Sequence, residues 1–230
     1  MTKKEIALLL ILASINFTNI MDFMIMMPLQ EFLEETFSVS TTQFGLLVSA
    51  YAFSAFLAST TATFIVDRFD RKKVLLVAFL GLIVGTLLCG IASSYYMLMI
   101  TRIIAGTFGG LISAQALSIV ADTFSYEKRG RAMGLLMAGF SAAAIAGVPF
   151  ALFIATKFNW QMPFLGIGAL GILLIPIAYF VIPSMSTHIN KAEKRNPFLI
   201  YQSVWTDRNL QYALLMMLTL VFAHFATIPF

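Results

Sequence analysis

The chain has 230 residues, of which 60% are hydrophobic and 11% are charged, and its mean hydropathy is +0.89. Soluble domains carry about 25% charged residues, so a water-soluble fold is excluded and lipid is the predicted solvent. A net charge of +4 would suggest nucleic acid in a soluble protein. Here the basic residues lie in short segments between apolar runs, which indicates membrane topology and no nucleic-acid partner.

A membrane-spanning helix needs about 20 apolar residues. The first apolar run follows Lys3 and Lys4 and ends without a small-residue cleavage site, which favours an uncleaved span over a signal peptide. Six complete spans are predicted, and a seventh begins near Leu210. In chain order the six are Ile6–Met27, Phe44–Val66, Val74–Ala92, Tyr96–Ala121, Ala132–Ala155 and Pro163–Ile182.

The basic residues alternate between the connections. Thirteen of the fifteen Lys and Arg residues fall on the side of the N-terminus, Lys157 falls on the other side, and Arg102 lies inside a span. The first connection, from Gln30 to Gln43, is acidic and is expected to be a loop. The positive-inside rule therefore predicts a cytoplasmic N-terminus. We expect a multi-pass protein of the plasma membrane, the inner membrane of a bacterium.

Three segments are predicted along the chain. Residues 1–183 form a six-helix transmembrane bundle, residues 184–209 form a cytoplasmic linker, and residues 210–230 begin a seventh helix of a second bundle. The linker turns amphipathic from Pro197 to Trp205, as expected of a helix on the membrane surface. Six spans, a linker and the start of another span are typical of half of a larger molecule, so we expect a C-terminal half as a partner.

Two opposite charges lie inside the predicted spans. Asp22 is in the first span and Arg102 in the fourth, each about 9 Å from the outer face at a rise of 1.5 Å per residue. A charge at the bilayer centre costs about 2.5–3.5 kcal/mol, so both are candidates for function. Asn16 and Asn19 share a helix face with Asp22. The pattern predicts an Asp22–Arg102 pair facing a central cavity; a purely structural pair is the alternative.

The connection after the second span is dense in charge, with Asp67, Arg68, Asp70, Arg71, Lys72 and Lys73. It is either a positive-inside anchor or a cytoplasmic latch. In a latch, the Asp67 carboxylate would pair with Arg71 or cap the third helix.

Small residues recur at four-residue spacing, which predicts close helix packing. The pairs are Gly81 and Gly85, Gly106 and Gly110, and Gly130 and Gly134. In the fifth span, Gly139, Gly147 and Pro149 predict a tightly packed or bendable helix, because glycine removes a side chain and proline removes a hydrogen-bond donor.

The charged connection resembles the signature Gly-x-x-x-Asp-Arg-x-Gly-Arg-Lys/Arg-Lys/Arg of the major facilitator superfamily. Thr63 and Asp70 stand at its glycine positions, and Ala151 replaces a glycine that is common in the antiporter motif of the fifth helix. Four further segments are similar to the family, in order along nearly the whole chain. They are Arg102–Gly110, Asp122–Gly134, Gly139–Pro149 and Asn159–Phe164.

The resemblance implies an all-α bundle of two inverted three-helix repeats followed by the start of a seventh helix. It also implies proton-coupled efflux of a small molecule, as in drug:proton antiporters or sugar-efflux proteins. A uniporter or uptake permease, and a non-transporting scaffold or sensor, are the alternatives. No enzyme activity, cofactor or metal site is expected, because Cys89, His188 and His224 lack ligand partners at suitable spacing and no catalytic set is present.

Overall fold

A computed structural model describes residues 1–185 and 205–226 of the chain. All regular structure in these two ranges is helical. The helices are α1 (Lys3–Met24), α2 (Gln30–Phe37), α3 (Thr41–Ala62), α4 (Arg71–Gly90), α5 (Tyr95–Thr123), α6 (Tyr126–Ala142), α7 (Val148–Lys157), α8 (Met162–Val181) and α9 (Arg208–Ala226). Of the predicted amphipathic segment Pro197–Trp205, only Trp205 lies within the described residues.

Six helical segments in the described ranges are long and apolar enough to cross a membrane. They are Lys3–Phe37, Thr41–Ala62, Arg71–Gly90, Tyr95–Thr123, Tyr126–Lys157 and Met162–Val181. Each overlaps a predicted span, with bounds that differ by up to six residues, except that the first continues through α2. The all-α membrane fold predicted from the sequence is therefore confirmed.

Polar residues at the starts of the spans explain their bounds. Thr2 and Glu5 form a capping box at the start of α1, and Ser40 and Gln43 form another at the start of α3. The Ser94 side chain accepts a hydrogen bond from the backbone N–H of Met97 at the start of α5. These side chains bond backbone N–H groups that have no partner inside the helix.

The acidic connection predicted as a loop contains a helix instead. A 3-10 turn, Met27–Leu29, continues α1 into α2, which ends at Ser38 with a φ of 51°. Helix α2 is amphipathic despite its glutamates: Leu33 is fully buried, and Phe37 packs edge to face against Trp160 with ring centroids 5.6 Å apart. The burial of this apolar face holds the acidic segment in a helical conformation.

The helix contacts of the unit Met1–Ile189 follow a pairing rule. Helix α1 packs against α6 and α8, α5 packs against α3 and α4, and α4 packs against α8. If each of the first three spans is exchanged with its counterpart in the last three, α1 changes places with α5, α3 with α6, and α4 with α8. The α1–α6 contact then becomes α5–α3, and the α1–α8 contact becomes α5–α4. Two repeats related by a pseudo-two-fold axis have this property, as expected of a transporter bundle.

The fifth span is not a continuous α-helix. A π turn, Ala143–Gly147, joins α6 to α7, and the N–H of Val148 bonds the carbonyl of Ala143 five residues earlier. Pro149 follows in the first turn of α7. A π turn and a proline are both recognised causes of helix kinks, so this span has a defined irregular point in its middle.

The second compact unit, Asn190–Phe230, contains α9 within its described residues. The Asp207 carboxylate accepts a hydrogen bond of 2.9 Å from the backbone N–H of Asn209 at the start of this helix. Helix α9 therefore begins two residues before the predicted start of the seventh span, Leu210.

Candidate functional site

An ion pair joins the two intramembrane charges. Arg102 Nη1 lies 3.1 Å from Asp22 Oδ2, and both side chains have no exposed surface. The same nitrogen donates a 2.9 Å hydrogen bond to the backbone carbonyl of Asp22. On the other side, Thr86 of α4 donates a 2.7 Å hydrogen bond to Asp22 Oδ1. Helices α1, α4 and α5 therefore meet at one carboxylate.

The guanidinium of Arg102 is only partly satisfied. Its Nε and Nη2 atoms are buried and have no hydrogen-bond partner among the described residues. One face of the group lies over the ring of Tyr51, with Arg102 Cζ 4.3 Å from the ring centroid. This cation–π contact adds to the ion pair with Asp22 in compensating the buried charge.

A chain of neutral polar groups continues from this pair. The Tyr51 hydroxyl donates to Asn19 Oδ1 at 3.2 Å, and Asn19 Nδ2 donates to Ser113 Oγ at 3.4 Å. Ser113 in turn donates to Asn16 Oδ1 at 3.2 Å. Asn16 and Asn19 thus lie on one polar face of α1, as their spacing predicted, and that face is bonded to α3 and α5.

The pair is more enclosed than the sequence suggested. The spacing predicted that Asp22 and Arg102 face a central cavity, but neither has exposed surface in this structure. The reason is that Tyr51 of α3 and Thr86 of α4 close over the pair. Helix α3 approaches α5 closely because Gly106 lacks a side chain: a Cβ there would overlap the Tyr51 carbonyl and Ser54 Oγ.

The charged connection after α3 is arranged differently from the predicted latch. Asp70, not Asp67, caps α4, since its carboxylate accepts a 2.8 Å hydrogen bond from the N–H of Lys72. Asp70 directly precedes α4, whereas Asp67 lies in the 3-10 turn Val66–Arg68 and its side chain is outside the described structure. Arg71 pairs with Asp122 at the end of α5, with Nε 2.8 Å from Oδ2. The N–H of Nε does not point along a hydrogen bond, so this contact is an ion pair only.

Asp70 also bonds two residues that follow α8. Its carboxylate accepts hydrogen bonds from the Ser184 hydroxyl and, at 3.2 Å, from the N–H of Met185. Partial burial raises the pKa of Asp70, but these bonds to the charged carboxylate outweigh burial and hold the pKa below its usual value. Lys72 lies over the ring of Tyr179 at 4.7 Å from the centroid, while Arg68 and Lys73 are exposed. The connection therefore links the start of α4 to the end of α8.

The predicted glycine contacts fall into two groups. A Cβ at Gly110 would lie 2.8 Å from Ala55 Cα, and one at Gly139 would lie 2.6 Å from the Ala13 carbonyl oxygen. Gly147 has Met21 Sδ against it, and Gly81 and Gly85 pack on α5. Gly130 and Gly134 were also predicted to pack, but a Cβ at either would meet open space among the described residues. Spacing alone does not say which glycines lie at a helix crossing.

Sequence reasoning missed several residues of the site. Tyr51, Thr86 and Ser113 bind the charged pair and the two asparagines, and Asp122 pairs with Arg71. Single tyrosine, serine and threonine residues in apolar helices give no distinctive pattern. The signal that could have found two of them is depth: Thr86 lies six residues before the outer end of its predicted span, and Tyr51 lies seven residues after the outer start of its own. Both are therefore level with Asp22 and Arg102.

Secondary membrane transporters are commonly built from inverted repeats, with charged residues buried between their helices. The chain belongs to the Major Facilitator Superfamily, whose family model matches residues 12–230. The resemblance stated from the sequence is thereby confirmed.

Relatives and solved structures agree with this membership. The "Uncharacterized MFS-type transporter YceJ" of Bacillus subtilis (strain 168) is 33% identical over 75% of this chain and 44% of the relative. The "Inner membrane transport protein YdhP" of Escherichia coli (strain K12) is 30% identical over 63% of this chain and 37% of the relative. The chain thus spans less than half the length of these relatives.

The fold is similar to a solved bacterial homolog of the human lysosomal transporter Spinster, in its inward-facing and unoccupied conformation. The TM-score is 0.66 at 22% identity, covering 80% of this chain and 44% of that one. At this identity the likeness establishes the fold only.

Proposed function

We propose that this chain is the N-terminal half of a proton-coupled transporter that exports a small, drug-like or sugar-like molecule across the bacterial inner membrane. The observation that carries the proposal is the Asp22–Arg102 pair, fully enclosed within the six-span bundle. A buried carboxylate is tolerated when it is paired or protonated. Asp22 therefore holds either Arg102 or a proton.

This exclusive choice supplies a coupling mechanism. When Asp22 takes up a proton, its carboxyl group is neutral and the ion pair with Arg102 is lost. The guanidinium can then bond another acceptor with its unpaired Nε and Nη2. Asn16 and Asn19 offer amide groups on the same face of α1, suited to a polar portion of the substrate. Proton and substrate binding then bias the same two-state equilibrium, as coupled transport requires.

The cytoplasmic connection and the glycines take supporting roles in the proposal. Residues 67–73, with Asp122, form a latch that holds one conformation through Arg71 and Asp70. Gly106, Gly110, Gly139 and Gly147 allow helices to pack closely, and the π turn before Pro149 gives the fifth span a bending point. Alternating access in such folds is a movement of one bundle against the other.

Asp22→Asn in the full-length protein tests the proposal. ATP is used to acidify the interior of everted membrane vesicles. Ethidium, tetraphenylphosphonium or isopropyl thiogalactoside is then added, and release of protons from the vesicles is followed by the fluorescence of quinacrine. The wild type should release protons with at least one compound, and Asp22→Asn with none. The control Glu35→Gln changes an exposed acid on α2 and should behave like the wild type.

The alternatives predict other results. A uniporter or uptake permease moves the same compound without proton release, and Asp22→Asn leaves its flux unchanged. A scaffold or sensor gives no flux of any tested compound from verified full-length protein. Either outcome would contradict proton-coupled export.

A further inference from the structure

Tyr51 contacts both the Asp22–Arg102 pair and the amide group of Asn19. Arg102 Cζ lies 4.3 Å from the centroid of the Tyr51 ring, and the Tyr51 hydroxyl donates a hydrogen bond of 3.2 Å to Asn19 Oδ1. The side chain is only 5% exposed. The Asp22–Arg102 pair and the group Asn16–Ser113–Asn19 are joined through it.

Three neighbours adjoin Tyr51: Phe23, Gly106 and Gly109. The ring of Phe23 on α1 packs against the Tyr51 ring at a centroid distance of 5.4 Å. The Tyr51 carbonyl lies over Gly106, where a Cβ would overlap it. Gly109 leaves room at the hydroxyl, because a Cβ there would overlap the hydroxyl oxygen and lie 2.8 Å from Asn19 Oδ1. A glycine one turn from Gly106 is thus required by the Tyr51–Asn19 bond itself.

We infer that Tyr51 is a positioning residue that transmits the state of Asp22 to the amide of Asn19. When Asp22 is neutral, Arg102 Nη1 keeps its hydrogen bond to the Asp22 carbonyl but loses its ion pair with the carboxylate, and the guanidinium shifts over the Tyr51 ring. The Tyr51 ring moves with the guanidinium, so its hydroxyl either breaks its hydrogen bond to Asn19 Oδ1 or reorients the Asn19 amide. The polar face of α1 that the substrate would meet changes as a result. The inference rests on the proposed function for its meaning in transport, but the coupling can be measured without transport.

Removal of the Tyr51 hydroxyl oxygen separates the contact with Arg102 from the contact with Asn19. Tyr51→Phe keeps the ring beneath Arg102 and removes the oxygen that bonds Asn19. It leaves the packing against Phe23 in place, so the folded protein is expected to be retained. Tyr95→Phe is the matched control, because its hydroxyl bonds the Gln43 carbonyl at 3.0 Å, away from the site.

The test is a double-mutant cycle on the full-length protein in lipid nanodiscs, labelled with 15N-asparagine. The side-chain amide resonance of Asn19 is assigned by its loss in Asn19→Gln, and Asp22→Asn represents the neutral carboxyl. With Tyr51 present, Asp22→Asn should shift the Asn19 resonance by more than its linewidth. In the Tyr51→Phe background the shift should fall below the linewidth, and in Tyr95→Phe it should persist.

Two results overturn the inference: an equal shift in the Tyr51→Phe background, or no shift when Tyr51 is present. If Tyr51→Phe does not fold, Gly109→Ala replaces it, because the added Cβ parts the hydroxyl from Asn19 while the ring remains. Failure of the proposed function would look different. Proton release would then be unaffected by Asp22→Asn, while the Asn19 shift would still report whether the two groups are coupled.

Discussion

Arg102 is a large charged side chain with no exposed surface, and Nη1 alone makes its hydrogen bonds to Asp22. Burying two charges costs several kcal/mol per ion, and a buried pair often adds no net stability over apolar residues of similar volume. Breaking such a pair is different, because the remaining charge is left without compensation. The energetic argument for Asp22 and Arg102 is therefore their mutual dependence.

That dependence can be measured with Arg102→Gln and the double variant Asp22→Asn/Arg102→Gln. The single variant leaves a buried carboxylate with Thr86 as its remaining donor, so it should lose about 3 kcal/mol of unfolding free energy. The double variant removes both charges and should be more stable than Arg102→Gln. Unfolding of the detergent-solubilised protein is followed by circular dichroism. A double variant that loses as much as both single variants added together would contradict mutual dependence.

At the scale of helices, glycines at four-residue spacing lie at a helix crossing in some places and not in others. Gly106 and Gly110 lie where α5 crosses α3, whereas Gly130 and Gly134 face open space in the described unit. The same small-xxx-small pattern thus has two different surroundings in one bundle. A membrane helix gains from such a pattern only where another backbone approaches it.

Gly106→Ala and Gly134→Ala form a matched pair that measures this difference. Alanine at position 106 overlaps the Tyr51 carbonyl, a backbone atom that cannot rotate away, so α3 and α5 should separate at a cost of about 1–3 kcal/mol. Alanine at position 134 meets no atom within 4 Å and should be neutral or slightly stabilising in unfolding free energy. Thermal unfolding of both variants, compared with the wild type, gives the answer. Equal losses would show that the α3–α5 crossing does not need glycine.

Sequence reasoning predicted the spans well and the contacts between them poorly. Apolar length predicted each span, because hydropathy is a local signal. The capping residues Ser40 and Asp70, which set the starts of α3 and α4, were not recognised as helix starts. Helix α2 was missed since its glutamates outweigh Leu33 in any average of hydropathy. Asp70 was counted among the latch residues, but capping of the helix or pairing with Arg71 was assigned to Asp67. Tyr51 was missed because its partners come from two other helices.

At the scale of the whole molecule, the distribution of basic residues predicts orientation. Cysteine substitution in a Cys89→Ala background can test it in intact cells with a membrane-impermeant maleimide. Ser93→Cys, between α4 and α5, should be labelled from outside, and Ser125→Cys, between α5 and α6, should be labelled only after lysis. Both serines are exposed. The reverse labelling pattern would place the N-terminus outside.

The pairing of α1 with helices of the second repeat has a consequence for synthesis at the ribosome. Asp22 enters the membrane 80 residues ahead of Arg102, which takes about 4–16 s at 5–20 residues per second. During that interval the first helix carries an acid and two amides without the partners that later enclose them. The nascent α1 must therefore wait in a polar environment, or with its acid protonated, until α5 arrives.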